Sequence, residues 1–473
     1  MLEDLAPELV FHVLHAVDGP QDLLSLLKAS PRCYKVFVRS RQSILSSVIK
    51  NALLPEALHH ALALFHIPPP GSDSNFPALA DLMAFLDIYF EEGAFTFPND
   101  LSMITSLCRL LLRVNRYVDD YFEKAKEALN LPSDAAAKSL PLSPIERTRM
   151  QRAFLRFELY CQICPVDPWC YGLSLSKADV QFEHFLSRMA PWEVEELSSI
   201  HQVLTSIVRK HIADMEEQLI DMILSSPGIK IPDGFDQNAD HKRETPETRI
   251  TEGGVILCAS PISYAEPSSA EGPDLKQSDS VTHMSVLQFE TVELIRLEMF
   301  SDIGTQTSLE SISYVTSLGL DFFEQLRSAD VQERNNLIRR KTPLFRHFLP
   351  EALDYAPMTS TKTDLRQLIT DDASHPNLGW TLYNSSPLDC YLKINREGIM
   401  KCPLRERGYV FWDSKRIANP YVDRALQQAR NMNEKQVGAI YSPEAHRSVE
   451  SRLRGVRMPQ EVLDMAMENF GSL

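Results

Sequence analysis

Apolar residues recur at three- and four-residue steps along most of this 473-residue chain, and prolines separate one run from the next. Such spacing places the apolar side chains on one face of an α-helix. A proline is tolerated in the first turn of a helix but not in its interior, so a proline before a run marks a helix start. With 30 prolines and only 17 glycines, the composition favours helices that begin at proline over β-hairpins. The sequence therefore predicts an all-α fold.

Three of these runs follow one another near the start of the chain. Pro7 opens the first run, and Ser30 is a candidate N-cap for the third, with Pro31 at its first helical position. Short helices can bury their apolar faces only by packing on one another, so we predict a compact three-helix unit. Its apolar positions are Leu9, Val10, Val13, Leu14, Val17, Leu23, Leu26, Leu27, Cys33, Tyr34, Phe37 and Val38.

The stretch Leu5-Ala6-Pro7-Glu8-Leu9-Val10, with the aliphatic spacing that follows it, resembles an F-box in the spelling common among fungal proteins. F-boxes are three-helix units that bind the Skp adaptor of cullin-type ubiquitin ligases, while the rest of the chain recruits a substrate. The resemblance therefore implies two partners, a Skp-type adaptor protein and an unknown substrate protein. The partner-binding positions that it implies are Leu5, Pro7, Leu9, Leu14, Leu23, Leu26 and Phe37.

The alternative is an ordinary N-terminal helical cap of a larger core, in a scaffold or interaction protein without a ligase role. Aliphatic stripes are common in helical proteins, so the spacing alone is compatible with both hypotheses. The sequence also does not separate the partner-binding positions that contact a partner from those that belong to the core.

The charge and cysteine content exclude several classes of protein. Lys and Arg number 48 against 64 Asp and Glu, a net charge of −16. This balance argues against a nucleic-acid partner, because nonspecific binding to nucleic acid needs a cationic surface. The eight cysteines are too scattered for a disulfide scaffold. The sequence shows neither a signal peptide nor a long apolar run, which predicts no membrane partner and a cytoplasmic or nuclear protein that is not secreted.

Breaks in the apolar pattern divide the chain. We predict the F-box-like unit with flanking helices at 1–66 and a larger, irregular helical body in two halves, 78–224 and 281–473. The segment 225–280 is rich in Pro, Ser, Asp and Glu and poor in apolar residues, which predicts an internal disordered loop. Within the body we predict helices at 78–92 and 99–130, from Ser143 to about Cys164, from Pro191 to about Leu224, and from Ser442 and Pro459, with a loop-rich stretch at 356–413.

Cys161 and Cys164, with Cys170 nearby, form the strongest candidate for a metal site. Zinc commonly takes two such close pairs, and a second pair is missing. Cys161 and Cys164 also share a helical face with aromatic residues, so we favour core cysteines over metal ligands. Glu195 and Glu196 are interpreted as part of a solvated helix face, and His12 with His15 as a solvated or partner-facing pair.

The sequence contains no glycine-rich phosphate loop, nucleophile elbow or H-E-x-x-H motif. It therefore predicts no enzyme, no cofactor, and no catalytic, cofactor-binding or metal-binding residue.

The stretch 404–417, here called the aromatic segment, contains Tyr409, Phe411 and Trp412 among several cations. One interpretation is an aromatic recognition patch with a cationic rim. The other, which we favour, is a buried plug that closes the core, with Asp413 paired to an arginine.

Overall fold

The computed structural model describes residues 4–69, 77–91, 95–132, 140–164, 177–225, 312, 314–339, 348–353, 375–383, 399–433 and 436–437. Of these residues 77% are helical and none forms a strand, so the predicted all-α fold is confirmed. Apart from its first residue, the predicted loop at 225–280 lies outside the described residues. The helices predicted from Ser442 and Pro459 also lie outside them.

The described residues form seventeen α-helices and a short 3₁₀-helix at Leu186–Arg188. In chain order they are α1 Pro7–His15, α2 Pro20–Ala29, α3 Pro31–Arg39, α4 Arg41–Ala52, α5 Pro55–Ala63, α6 Leu79–Phe90, α7 Leu101–Leu129, α8 Pro144–Ile163, α9 Ala178–His184, α10 Pro191–Ser225, α11 Gly319–Ser328, α12 Val331–Arg339, α13 Leu349–Leu353, α14 Leu378–Tyr383, α15 Ile399–Glu406, α16 Ser414–Ile417 and α17 Pro420–Arg430.

The first three helices begin where the sequence predicts. Pro7, Pro20 and Pro31 each occupy the first turn of a helix, and the Ser30 hydroxyl accepts a hydrogen bond from the Cys33 amide at 3.2 Å. Helix α1 packs against α3 and α4, and α2 packs against α3 and α4. The predicted three-helix arrangement is therefore present, with α4 as an additional support.

Helix α8 lies at the centre of the molecule. It contacts α5, α7, α10 and α11 and is buried on almost every side. Helix α5 packs on α8 and carries the small buried residues Ala57, Ala61 and Ala63, and α4 packs on α7. One hydrophobic core therefore joins the N-terminal helices to the described parts of both halves of the body.

Most predicted helices of the body are confirmed. Ser143 and Glu146 form the complete capping box at the start of α8, and α6, α7 and α10 match their predicted ranges within a few residues. The described parts of the stretch 356–413, predicted as loop-rich, instead contain α14 and α15. Helix α17, which begins at Pro420 with Asn419 as its cap, was not predicted.

Candidate functional site

The apolar stripe of α1 is wider than the face that the core covers. Val10 and Leu14 are fully buried, whereas Leu9 is 52% exposed and Val13 is also exposed. A helix in a globular core normally turns its apolar stripe inward and its polar face outward. Leu9 and Val13, which lie one turn apart, are therefore apolar surface that the fold itself does not use.

Helices α2 and α3 also carry apolar side chains that the core does not cover. Cys33 is fully buried, while Tyr34 on the same helix is 56% exposed, and Val38 and Leu24 are exposed as well. Single exposed apolar residues are ordinary, but five of the twelve large exposed apolar side chains of the described residues lie between positions 9 and 38. We call these five residues the N-terminal apolar set. Its members are Leu9, Val13, Leu24, Tyr34 and Val38.

The structure separates the seven predicted partner-binding residues into three groups. Leu14 and Leu23 are buried, so these two of the seven positions belong to the core. Leu5, Leu26 and Phe37 are half-buried and pack against the core, and Pro7 and Leu9 are exposed. Sequence reasoning had grouped exposed and buried positions together and did not single out Val13, Leu24, Tyr34 or Val38. The signal that could have found them is the width of each stripe, which exceeds what one neighbouring helix can cover.

Hydrogen bonds from α4 fix the position of α1. The His15 ring lies with Nδ1 2.7 Å from Ser47 Oγ and Nε2 3.1 Å from Ser43 Oγ. The Asn51 amide donates to the His15 carbonyl at 2.8 Å. The pKa of His15 is lowered, mainly by partial burial and to a smaller extent by the charge of His12. The predicted solvated or partner-facing pair is therefore wrong for His15, which faces α4, while His12 is exposed.

The body contains buried carboxylates where the sequence predicted a solvated face. Glu195 and Glu196 are both buried, and each pairs with an arginine in a two-bond arrangement. Arg152 donates to Glu196 at 2.6 and 3.1 Å, and Arg405 donates to Glu195 at 2.8 Å twice. The Tyr409 hydroxyl donates a further bond to Glu195 at 2.9 Å. The prediction was wrong because these partners come from other helices, one of them 210 residues away in the sequence.

The aromatic segment is a buried plug, as the favoured interpretation predicts. Tyr409, Phe411 and Trp412 are fully buried. The Asn377 side chain donates to the carbonyls of Tyr409 and Trp412 at 3.1 and 2.8 Å. Gly408 takes φ = +70°, a conformation that favours glycine. These rings fill the core, so they do not form an exposed recognition patch.

The predicted pairing of Asp413 with an arginine is replaced by another arrangement. Asp413 accepts a hydrogen bond from the backbone amide of Arg416 at 2.9 Å and so caps α16. The Arg416 guanidinium instead donates to both oxygens of Glu146, at 2.7 Å each. The aromatic segment is thus attached to α8 through Glu146 and to α10 through Glu195.

Cys161 and Cys164 are buried in the core, which confirms their predicted placement. Burial raises the pKa of both thiols well above the ordinary value. Cys170 lies outside the described residues. Among the residues that are described, no group of three or more His, Cys, Asp or Glu side chains is arranged to hold a metal ion.

A cleft of about 420 Å³ lies between α7, α8 and α10. Its lining contains two tyrosines, one lysine, three carboxylates and apolar residues, but no cysteine, serine or histidine. The Tyr121 hydroxyl already donates to the Arg405 carbonyl at 2.6 Å. Burial lowers the pKa of Lys124 in this cleft. The N-terminal apolar set is the stronger candidate for function, because its five exposed apolar side chains lie on three neighbouring helices. The lining residues are Tyr117, Asp120, Tyr121, Glu123, Lys124, Glu127, Phe154, Val203, Leu204 and Ile207.

No family model, curated protein or solved structure matches this chain. No helix within the described ranges has the length and apolar character needed to cross a membrane.

Proposed function

We propose that this chain is a protein–protein adaptor. Its three N-terminal helices bind a Skp-type adaptor of a cullin-type ubiquitin ligase, and the helical body recruits a target protein for ubiquitination. The observation that carries this proposal is the N-terminal apolar set, which lies on the three helices that resemble an F-box.

The chemistry of this set favours docking to a protein. Burial of exposed Leu, Val and Tyr surface contributes about 25 cal/mol per Å², and the set offers such surface on three neighbouring helices. The hydrogen bonds of His15 and Asn51 hold α1 against α4 before any partner arrives. A surface that is already ordered loses little conformational entropy on binding.

The first prediction is that the full-length Leu9→Asp variant loses affinity for a purified Skp adaptor by at least about tenfold, because the contact would bury a carboxylate without a partner. Leu9 is exposed, so the variant should fold, and circular dichroism checks this. Isothermal titration calorimetry measures the affinity. The matched control is Ile88→Asp, because Ile88 is 51% exposed and lies outside the N-terminal helices.

Equal affinity of the Leu9→Asp and Ile88→Asp variants would contradict the assignment of this surface. Failure of the wild-type chain to bind the Skp adaptor would contradict the ligase role. The three helices would then be the structural start of a helical scaffold, which is the alternative that the sequence leaves open.

A further inference from the structure

One stretch of the N-terminal helices carries a charge opposite to that of the whole chain. Residues 23–55 include six Lys or Arg and neither Asp nor Glu, although the net charge of the protein is −16. Lys28, Lys35, Arg39 and Arg41 are exposed, and within the described part of the chain none of the four pairs with a carboxylate. These cations therefore remain available to a partner.

On α3 the cations and the apolar residues form two neighbouring rows. Tyr34 and Val38 lie one turn apart, and Lys35 and Arg39 follow them by one position each. All four side chains are exposed. Consecutive residues of an α-helix are turned by about 100°, so the two rows run side by side along the outer half of α3.

Helix α2 repeats this pairing. Leu24 and Lys28 are four residues apart, so they lie on one face, and both are exposed. Helix α2 packs against α3, and each of the two helices exposes apolar and cationic side chains at helical spacing. We call this the α2–α3 surface. It consists of Leu24, Lys28, Tyr34, Lys35, Val38 and Arg39.

We propose that the α2–α3 surface binds an acidic amphipathic helix of a partner protein. The apolar row of that helix covers Tyr34 and Val38, and its carboxylates face Lys35 and Arg39. This inference rests on the proposed function, because it names the chemistry of the partner at the same three helices. Complementary charge steers the encounter and fixes the register of the partner, while the apolar row supplies the buried area.

The apolar row favours a protein over a nucleic acid. A nucleic acid would leave Tyr34 and Val38 without an apolar counterpart. An acidic helix with an apolar stripe satisfies both rows.

The test uses the full chain and two synthetic helical peptides that share a row of leucines and differ only in flanking glutamates or lysines. Fluorescence anisotropy should show binding of the glutamate peptide and no binding of the lysine peptide.

The Lys35→Glu/Arg39→Glu variant should weaken glutamate-peptide binding about tenfold at low salt, with a smaller loss at high salt because ions screen exposed charges. Val38→Ser should weaken binding at both salt concentrations. Lys415→Glu/Arg424→Glu makes the same charge change at two exposed positions elsewhere and should bind as the wild type does.

Equal binding of the two peptides, or an unchanged affinity in Lys35→Glu/Arg39→Glu, would overturn the inference. Binding that depends on the cations but is unaffected by Val38→Ser would also overturn it, because that result indicates a polyanion site. The same variants are then titrated with the Skp adaptor. If the chain binds the glutamate peptide but not the Skp adaptor, the result contradicts the proposed function and is consistent with the inference.

Discussion

Burial sets the protonation state of His60 and His201. Burial, and then nearby arginines, lower the pKa of His201 to about 3, and burial lowers the pKa of His60 well below the ordinary 6.5. His60 Nδ1 lies 2.8 Å from the Tyr89 hydroxyl, and the His201 ring packs against Phe348. Both histidines are therefore neutral in the folded protein at neutral pH.

The free energy of unfolding should consequently fall as the pH drops below 6.5. The unfolded chain takes up a proton on each histidine near that pH and the folded chain does not, so each site lowers stability by about 1.4 kcal/mol per pH unit until its folded-state pKa is reached. Urea unfolding between pH 8 and pH 5 measures this slope. His201→Leu should lower this slope by about 1.4 kcal/mol per pH unit, which is the contribution of one histidine. An unchanged slope would contradict the buried neutral state of His201.

Single residues also show where sequence reasoning stops. Leu9 and Leu14 belong to one apolar stripe, but only the neighbouring helices decide that the first is exposed and the second is buried. Glu195 resembles a solvated helix residue until Arg405 is brought beside it from another part of the chain. Local spacing predicts that a face is apolar or charged, whereas the width of the covered face depends on tertiary packing.

At the scale of the element, helix starts are the most predictable feature. Pro7, Pro31 and the Ser143–Glu146 capping box each mark a helix start that the structure confirms. Helix α17 carries the same signal in Asn419 and Pro420, together with buried Val422, Leu426 and Ala429 at helical spacing. No helix was predicted between the aromatic segment and Ser442, although this signal is present in the sequence.

The two capping residues of α8 should differ in their effect on stability. Ser143→Ala removes a cap and should lower the free energy of unfolding by about 1 kcal/mol. Glu146→Ala removes the cap and also leaves the buried Arg416 without its carboxylate, so it should cost about 3–5 kcal/mol. Urea unfolding measures both values, and Ser143→Asn, which preserves the cap, is the control. Equal losses in the two alanine variants would mean that the Glu146–Arg416 pair does not contribute to the free energy of unfolding.

At the scale of the whole molecule, the N-terminal helices share their core with the body. The Gln42 side chain donates to the Asn99 carbonyl at 2.7 Å, and the His59 ring Nε2 lies 3.0 Å from the Tyr89 carbonyl. Val48 and Ile49 on α4 are fully buried, and α4 packs on α7. A boundary near residue 66 therefore crosses a packed interface, although the sequence there shows a break rich in Pro, Gly and Ser.

We therefore expect the isolated fragment 4–66 to unfold without a sharp transition. It would lose α7 and α8 and expose apolar side chains on α4 and α5 that these helices cover. Circular dichroism during heating and amide hydrogen exchange measure this, with the full chain as the reference. A cooperative transition and slow exchange in the fragment would show that the unit folds alone and that its contacts with α7 and α8 are dispensable.

A single core also makes the N-terminal surface and the buried arginine pairs parts of one equilibrium. A partner that binds only the folded α1–α3 helices draws the whole chain toward the folded state, by about 2.7 kcal/mol when its concentration is a hundred times its Kd. The Arg405–Glu195 pair lies hundreds of residues from these helices in sequence, but it belongs to the same packed body. A partner bound at the N-terminal helices therefore also opposes unfolding around the Arg405–Glu195 pair, through mass action alone and without any change of shape.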